Sequence, residues 1–318
     1  MLAQQQIEDF ERNGYLVIEN LVSIPGVLEP LKAEYTDRLR TLCKRWAHDK
    51  KMSIAAASGN FSQMIMSCVD AGIDYFQPLD ISLPPGAIQT HTPFHAGPAV
   101  FDLITDTALL DAVESLLGPE LTSNPIQHVR IKPPLKSLMG DDVRPHIIAT
   151  DWHQDRGVTH EDADESRMVT VWVAVTDATK DNGCLQVIPG SHKNPMLEHC
   201  PGAGQLHIPS SQFDETSAQT LPVRAGGCVL FHPNTIHGSL SNNSKEIRWS
   251  FDLRYNVTGD STGREFFPSF VARSRSTPET ELKSAHTWRQ LWEEARSKLS
   301  DDSPVEIHRW ESGGEVCA

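Results

Sequence analysis

The chain has 318 residues, of which 39% are hydrophobic and 22% charged, and its formal net charge is −14. This composition allows a folded core, while the acidic balance argues against nucleic acid as a partner, because sequence-independent binding to phosphates needs clustered Lys and Arg. The sequence shows no signal peptide and no apolar run of the ~18 residues that a membrane span needs, so we expect a cytoplasmic protein with no membrane partner.

In chain order, the N-terminal third is predicted to be helical with one strand. Residues 4–13 and 25–47 carry apolar side chains at helical spacing, and residues 15–18 are typical of a short strand. Residues 51–100 hold several prolines and glycines, and predict a long, partly irregular segment. Residues 105–117 predict a further amphipathic helix, ended by a Gly-Pro pair.

After this helix the pattern changes to short strands separated by Gly, Pro and Asn turns, which favours a mainly β sandwich or jelly roll. The predicted strands cover 126–132, 168–175, 184–188, 229–231 and 247–255. A late helix is expected at 285–299, with its two tryptophans packed on the core. We find no repeat or linker, so we expect one domain over 1–300 and a polar, mobile tail over 301–318.

The six cysteines are scattered along the chain and form no C-x-x-C pair. They stand at positions 43, 68, 184, 200, 228 and 317. In a chain of this length such cysteines are typical of reduced thiols, and several lie in apolar stretches. We therefore expect reduced thiols.

A candidate metal motif is His153-Gln154-Asp155, which puts an imidazole and a carboxylate two residues apart. On extended backbone, alternate side chains share one face, so both would point into the exposed mouth of a barrel. A second imidazole from another strand would complete the set of two His and one carboxylate that leaves open positions on non-haem iron(II). His237 fits this role, because it follows a predicted strand across a short turn.

A lone H-x-D triplet is weak evidence, and the chain contains a second one, His160-Glu161-Asp162. This second triplet lies in the acidic run HEDADES, which is typical of a solvated loop. No predicted apolar strand presents it. We therefore favour the first triplet as the metal motif.

Arg248 lies eleven residues after His237, inside a predicted strand. A buried guanidinium on a strand is costly unless it is paired, and its planar fork suits bidentate recognition of a carboxylate. The alternative, by spacing alone, is a structural salt bridge to an acidic side chain of the barrel. Ser239, two residues beyond His237, could add a hydroxyl to the same carboxylate.

Further segments accompany these residues in a fixed order. They are Asp151-Trp-His-Gln-Asp155, Val171-Trp-Val-Ala-Val175, Asn182-Gly-Cys-Leu185, Ile188-Pro-Gly-Ser-His192, Phe231-His-Pro-Asn-Thr-Ile-His-Gly-Ser239 and Arg248. In order and spacing they resemble the phytanoyl-CoA hydroxylase (PhyH) family over about 120–255, and Phe10-x3-Gly14-Tyr-Leu-Val-Ile18 resembles its N-terminal element. Residues 51–105 and 256–318 match no motif of the family.

The resemblance implies a double-stranded β-helix core (a cupin-like jelly roll) with flanking α-helices, and the use of Fe(II), 2-oxoglutarate and O2. His153, Asp155 and His237 fall on the iron-ligand positions of the family. Relatives that act as halogenases replace the carboxylate ligand with Gly or Ala. Because Asp155 is retained, the resemblance favours hydroxylation or a related oxidation.

The resemblance also implies a site for the oxo acid. Arg248 and Ser239 fall on the positions that bind the distal carboxylate of 2-oxoglutarate. Trp172 and His128 fall on positions that line the oxo-acid pocket, although the residue type at His128 differs from that of the family.

Contacts with the primary substrate are the least determined part of the sequence. Arg130 would share a strand face with His128 and could reach substrate, and a surface-paired strand arginine is the alternative. The Pro- and Gly-rich segment 78–98 could form a lid in which Phe94 and His95 contact substrate. The alternative is that its apolar residues dock on the barrel wall as a satellite core.

The sequence therefore predicts an Fe(II)- and 2-oxoglutarate-dependent dioxygenase that hydroxylates an unactivated C–H bond of a small metabolite or natural product, with release of succinate and CO2. Two alternatives stay open: a metal-dependent cupin-type enzyme without 2-oxoglutarate, and a non-catalytic binding protein on the same barrel. Arg248 argues against the first, and the complete ligand set argues against the second. The expected partner is a small-molecule substrate, and a homo-oligomer is left open.

Overall fold

The computed structural model describes residues 1–73, 76–84, 86–137, 149–202, 206–301, 309–310 and 315–317. The α-helices are α1 Gln4–Asn13, α2 Glu29–His48, α3 Phe61–Asp70, α4 Pro98–Ile104, α5 Thr107–Leu117 and α6 Ala285–Leu299. The strands are β1 Tyr15–Ile18, β2 Glu120–Lys132, β3 Met168–Ala174, β4 Leu185–Val187, β5 Cys200–Pro201, β6 Leu206–His207, β7 Gln219–Leu221, β8 Cys228–Phe231, β9 His237–Ser239, β10 Arg248–Val257 and β11 Phe270–Ser274.

The strands form two principal sheets and a short two-stranded pair. The larger sheet has the order β1-β8-β3-β10-β2-β11, and the smaller one has the order β7-β4-β9. Neighbouring strands are antiparallel in both. The small sheet covers one face of the large sheet and the helices cover the other. This confirms the predicted double-stranded β-helix with flanking helices.

The alternation of β10 explains why the two faces of the large sheet differ. Residues at odd positions are large and apolar and are fully buried on the helical side: Trp249, Phe251, Leu253 and Tyr255. Burying each such side chain contributes about 1.5–3 kcal/mol, so this face holds the helices in place. Residues at even positions are polar and face the small sheet: Arg248, Ser250, Asp252 and Arg254. The inner face is therefore the charged one.

The predicted helices at the N-terminus are confirmed, but residues 51–104 contain two helices that the sequence pattern did not predict. The helix α3 begins at a capping box, in which Asn60 and Gln63 each accept the other's backbone N–H. The helix α4 has Pro98 in its first turn, where the missing N–H of proline costs nothing. The prolines predict an irregular segment here, but one of them, Pro98, instead begins a helix.

The late helix α6 matches the predicted range and begins after Ser284, whose side chain accepts the backbone N–H of Thr287. Trp288 and Trp292 are 1% and 0% exposed, which confirms their predicted packing on the core. None of the described helices is both long and apolar enough to cross a membrane.

The expectation of reduced thiols is wrong for one pair of cysteines. Cys200 and Cys317 form a disulfide across 117 residues of sequence, a separation that carries no local signal. The other four cysteines are free and buried. Most of the predicted tail, 301–318, lies outside the described residues, but Trp310 stacks on His199, and so contacts the barrel next to Cys200.

Candidate active site

A partly open cavity lies between the two sheets. Strands β2, β3, β4, β8, β9 and β10 contribute to its wall, together with the loop that precedes β3. Its charged lining consists of Arg130, Asp155, Arg248, Asp252 and Arg254. The sequence placed His153, Asp155, His237, Arg248 and Trp172 in one site, and the structure brings all five to this cavity.

His153 and His237 come from different segments and are joined by their backbones. Each backbone N–H donates to the carbonyl of the other at 2.9 Å, which sets the two imidazole rings 4.2 Å apart. The Nδ1 atom of His153 lies 2.8 Å from the Asp151 carbonyl, and that of His237 lies 3.0 Å from the Thr235 carbonyl. With Nδ1 donating in each ring, both Nε2 lone pairs face the cavity, as metal-binding imidazoles require.

Asp155 stands at the start of a 3-10 turn, Asp155–Val158, and is 1% exposed. Its Oδ1 accepts a hydrogen bond from Arg254, whereas its buried Oδ2 has no hydrogen-bond partner. This Oδ2 lies 3.9 Å from Nε2 of His237, and Nε2 of His153 lies 3.9 Å from Oδ1. The expectation of an exposed carboxylate on extended backbone is therefore wrong, because the turn carries Asp155 into the barrel.

The ligand atoms of His153, Asp155 and His237 all lie within 4.8 Å of one another. Across the described ranges, no other group of three or more His, Cys, Asp or Glu side chains is so placed. Burial and the neighbouring His237 lower the pKa of His153 to about 3, so its imidazole is neutral near pH 7. Burial alone would raise the pKa of the Asp155 carboxyl, but Arg254 and the two imidazoles hold it below its ordinary value. An orphan buried oxygen beside two imidazole nitrogens fits a divalent metal ion.

The second triplet, His160-Glu161-Asp162, lies in a short 3-10 turn away from the cavity. Glu161 and Asp162 are exposed, and Asp162 accepts a hydrogen bond from Ser261. The structure thus agrees with the interpretation of this run as a solvated loop.

Arg248 is 1% exposed, and its guanidinium carbon lies 5.5 Å from the centre of the Trp172 ring. Its Nη1 donates to Ser250 Oγ at 2.7 Å, and its buried Nε has no partner. Burial lowers the pKa of Arg248 to about 10. Since no carboxylate in the described part of the chain forms an ion pair with it, the structural salt bridge that spacing left open is not present.

Lys132 is a buried neighbour of Arg248, just outside the cavity lining, that sequence reasoning missed. It is 2% exposed and pairs with Arg248 across β2 and β10. Its Nζ donates to Ser239 Oγ at 2.6 Å and to the Leu240 carbonyl at 2.7 Å. Burial and the nearby Arg248 charge hold the pKa of Lys132 well below its ordinary range. A lysine at the end of a strand carries no signal of burial, because only the cross-strand register places it there.

Ser239 lies behind the cavity wall rather than in it. Its hydroxyl oxygen accepts from Lys132 and from the backbone N–H of Thr150 at 2.9 Å. The Ser239 hydroxyl is therefore placed against Lys132 and outside the cavity lining, and its contact with a carboxylate stays a prediction.

Arg130 and His128 share a face of β2 as expected, but only Arg130 lines the cavity. Nε of Arg130 donates to Asp252 Oδ2 at 2.9 Å. His128 Nδ1 lies 3.0 Å from Oδ2 of Asp80, which also accepts the backbone N–H of Val129 through Oδ1. The positional match of His128 to an oxo-acid pocket is therefore not reproduced, because Asp80 holds the imidazole outside the cavity.

Phe94 and His95 were expected to contact substrate, and the structure places them elsewhere. His95 Nε2 lies 2.8 Å from Glu34 Oε1, and its ring lies edge-on to Tyr35 in the helical layer. The Phe94 ring lies 6.1 Å from Trp292 of α6. Neither residue lines the cavity, so the structure gives the lid hypothesis no support, and Phe94 packs on the main apolar core rather than on a satellite core at the barrel wall.

The phytanoyl-CoA dioxygenase (PhyH) family model matches residues 81–250, which is more than half of the chain. The peroxisomal phytanoyl-CoA dioxygenase of Bos taurus is 24% identical over 261 residues, covering 80% of this chain and 68% of the relative. Among solved structures, the apo form of the non-haem monooxygenase ThoJ aligns with a TM-score of 0.58 at 20% identity, over 93% of this chain and 97% of that one.

A further structure is that of the epimerase SnoN in complex with Fe3+, α-ketoglutarate and nogalamycin RO. It aligns with a TM-score of 0.51 at 18% identity, over 83% of this chain and 88% of that one. The structural likeness agrees with the jelly-roll fold found above. The chain belongs to the PhyH family and is a non-haem iron, 2-oxoglutarate-dependent oxygenase.

Proposed function

We propose that this oxygenase inserts oxygen into an unactivated C–H bond of a small metabolite or natural product, with release of succinate and CO2. The observation that carries the proposal is the juxtaposition of two centres in one cavity. One is the His153, Asp155 and His237 set, and the other is Arg248, which lies beside the buried Lys132 and forms no ion pair with a carboxylate of the described chain.

His153, Asp155 and His237 would hold iron(II) on one side, which leaves its other positions open for the oxo acid and dioxygen. The bound metal supplies the oxidising power, by coupling the oxidative decarboxylation of 2-oxoglutarate to attack on the C–H bond. The protein holds the ligands in the correct tautomer through the two backbone carbonyls at Nδ1. The Phe231 ring stacks on His237 at 4.6 Å and fixes the plane of that imidazole.

Arg248 and Lys132 would bind the distal carboxylate of 2-oxoglutarate. Two buried cations that form no ion pair within the described ranges are costly, and an anionic ligand would offset that cost. The planar guanidinium offers a bidentate contact, while Lys132 adds positive charge at the same end. Trp172 would form the flat wall beside the oxo acid, and Ser239 would keep the Lys132 ammonium in place.

The remaining part of the cavity, beside Arg130 and Asp252, would receive the primary substrate. Their ion pair gives this wall polar groups of both signs, which suits a small polar molecule. The sequence carries no basic cluster for the diphosphate of coenzyme A, which favours a small metabolite over an acyl-CoA. Hydroxylation is the simplest outcome, because Asp155 keeps the metal carboxylate that halogenases of the family lack.

The test is oxygen-dependent release of succinate from 2-oxoglutarate by the purified protein with added Fe(II). We expect slow succinate release without substrate, and no release after chelation of the metal. An enzyme of the cupin type would bind metal but not 2-oxoglutarate, and a binding protein would release no succinate at all. Screening small metabolites by mass spectrometry would then identify a product that has gained one oxygen atom or lost two hydrogens. The cytoplasmic location and the oligomeric state remain predictions.

A further inference from the structure

Arg254 is the second arginine on the inner face of β10, six residues after Arg248, and the proposed function gives it no role. It is 4% exposed. Its Nη2 donates to Oδ1 of Asp155, and its Nη1 donates to the Ile126 carbonyl at 3.0 Å. The guanidinium therefore joins a candidate iron ligand to the backbone of β2.

An irregularity in the pairing of β2 with β10 places Arg254 at this point. Asp252 pairs with His128 and Arg254 pairs with Asn124, so β2 uses more residues than β10 between the two pairs. Pro125 lies in this bulge and has no N–H to offer to the ladder. A bulge re-aims nearby groups, and here it leaves the Ile126 carbonyl available to the Arg254 side chain.

The contact between Arg254 and Asp155 makes the two carboxylate oxygens of Asp155 unequal. Oδ1 is engaged by Arg254, while Oδ2 is buried without a partner beside Nε2 of His237. A carboxylate without such a restraint could rotate and present either oxygen, or both, to a metal. Arg254 thus restrains the rotation of the carboxylate through Oδ1, which also lies 3.9 Å from Nε2 of His153, and leaves Oδ2 as the oxygen with no hydrogen bond.

We propose that Arg254 is a positioning residue that fixes the orientation of the Asp155 carboxylate and so presents Oδ2 to the metal. The inference rests on the proposed assignment of Asp155 as an iron ligand. It predicts that loss of Arg254 weakens metal binding, although removal of a positive charge would by itself favour a cation.

The same cavity offers a matched control. Arg130 and Asp252 form an ion pair with an N–O distance of 2.9 Å, also between a cavity arginine and an aspartate, but neither belongs to the candidate ligand set. Removing Arg130 should therefore change the charge of the cavity by the same amount without disturbing the metal ligands.

The experiment measures the dissociation constant of Mn(II), by calorimetry on the metal-free protein, for the wild type, Arg254→Gln, Arg254→Lys and Arg130→Gln. Loss of groups that orient metal ligands typically weakens metal binding about 10–100-fold, and we expect this range for Arg254→Gln. Arg254→Lys, which keeps a positive donor, should lose less. Arg130→Gln should bind Mn(II) at least as tightly as the wild type, since it removes a positive charge.

A second measurement separates positioning from simple loss of stability. The complex of the protein with Fe(II) and 2-oxoglutarate, prepared without oxygen, is expected to have a metal-to-ligand charge-transfer absorption in the visible range. At saturating Fe(II) and 2-oxoglutarate, the wavelength of this absorption should shift in Arg254→Gln and stay unchanged in Arg130→Gln. Should Arg254→Gln fail to fold, the comparison passes to Arg254→Lys, whose weaker binding of Mn(II) is still expected. Wild-type affinity and an unmoved band in the Arg254 variants would overturn the inference. Failure of the wild type itself to bind metal would instead overturn the proposed function, and the inference with it.

Discussion

The two faces of β10 share the same ten-residue backbone, but one buries apolar side chains and the other buries charged ones. On the helical side, Trp249 stacks on Phe61 at 4.2 Å and every large side chain is covered by apolar neighbours. On the cavity side, Arg248 has no counter-ion among the residues that the structure describes, and Arg254 is buried against Asp155. The first face lowers the free energy of the folded chain. The second raises it unless a metal ion and an anion bind, so the apolar face offsets the cost of the charged one.

Asp155→Ala should have the largest effect, because it acts on both ligand binding and the charged face. We expect loss of measurable 2-oxoglutarate turnover. We also expect a loss of about 3–5 kcal/mol in unfolding free energy, since Arg254 would be left buried and unpaired. Succinate release and chemical denaturation measure the two effects. Asp162→Ala, in the exposed second triplet, is the control and should change neither.

Trp249→Ala tests the apolar face alone. The side chain is 2% exposed and packs against Phe61 and Tyr35, so truncation should cost about 3–5 kcal/mol of unfolding free energy. The affinity of the folded fraction for Mn(II) should stay near that of the wild type, because the side chain points away from the cavity. A large drop in metal affinity with unchanged stability would contradict the division of β10 into two independent faces.

Arg248→Lys tests the unpaired cation. The substitution keeps the charge but removes the planar fork, and the two side chains are not interchangeable at a bidentate site. We expect the dissociation constant of 2-oxoglutarate to rise about tenfold or more, which corresponds to about 1.4 kcal/mol. Binding of Mn(II) without 2-oxoglutarate should be unaffected. An unchanged affinity for the oxo acid would show that Arg248 serves the fold rather than the ligand.

Lys132→Met should have the smallest effect of the four substitutions. It tests the charged face of β10 through the pH dependence of 2-oxoglutarate binding. The lowered pKa of Lys132 means that its amine loses its proton below the ordinary value of about 10.4 in the ligand-free protein. An anion favours the protonated form, so binding of 2-oxoglutarate takes up a proton and weakens as pH rises through the lowered pKa. Lys132→Met should raise the dissociation constant about threefold to tenfold near pH 7, or about 0.7–1.4 kcal/mol.

The pH profile of 2-oxoglutarate affinity, measured by calorimetry in both proteins, is the discriminating readout. Lys132→Met should flatten the alkaline part of that profile. A profile that the substitution leaves unchanged would assign the dependence to another group and Lys132 to a structural role.

The parts of the site that could be predicted from sequence are those with a local spacing. His153 and Asp155 stand two residues apart, and Arg248 stands eleven residues after His237, so a motif reveals them. Lys132 and Arg254 have no such signal, because their roles depend on the register between β2 and β10 and on a bulge within it. The burial of Asp155 also depends on the turn that begins there, which no alternation of side chains predicts.

The expectations that the structure does not support share this cause. Phe94 and His95 lie in a Pro-rich segment that resembles a loop, but their partners are on helices far away in the sequence, Glu34 on α2 and Trp292 on α6. Apolar periodicity shows which side chains are buried but not which neighbours bury them. The strands themselves were predictable because each carries its own β-branched and aromatic pattern.

The C-terminal end of the described chain has a consequence for protein engineering. A chain shortened at Ser300, the boundary that the sequence pattern suggests, would lose Trp310 and the half-cystine Cys317. Trp310 donates to the Gly157 carbonyl at 2.6 Å and stacks on His199. That imidazole accepts the backbone N–H of Gln154 at 2.9 Å, and Gln154 lies between the first two candidate iron ligands.

Deleting the last eighteen residues would therefore expose the back of the ligand loop to water, although the deletion lies some 150 residues away in sequence. Affinity tags are better placed at the other terminus, where Met1 is 73% exposed. An irregular terminus is often removed before crystallisation. In this oxygenase, that removal would loosen the loop that carries His153 and Asp155.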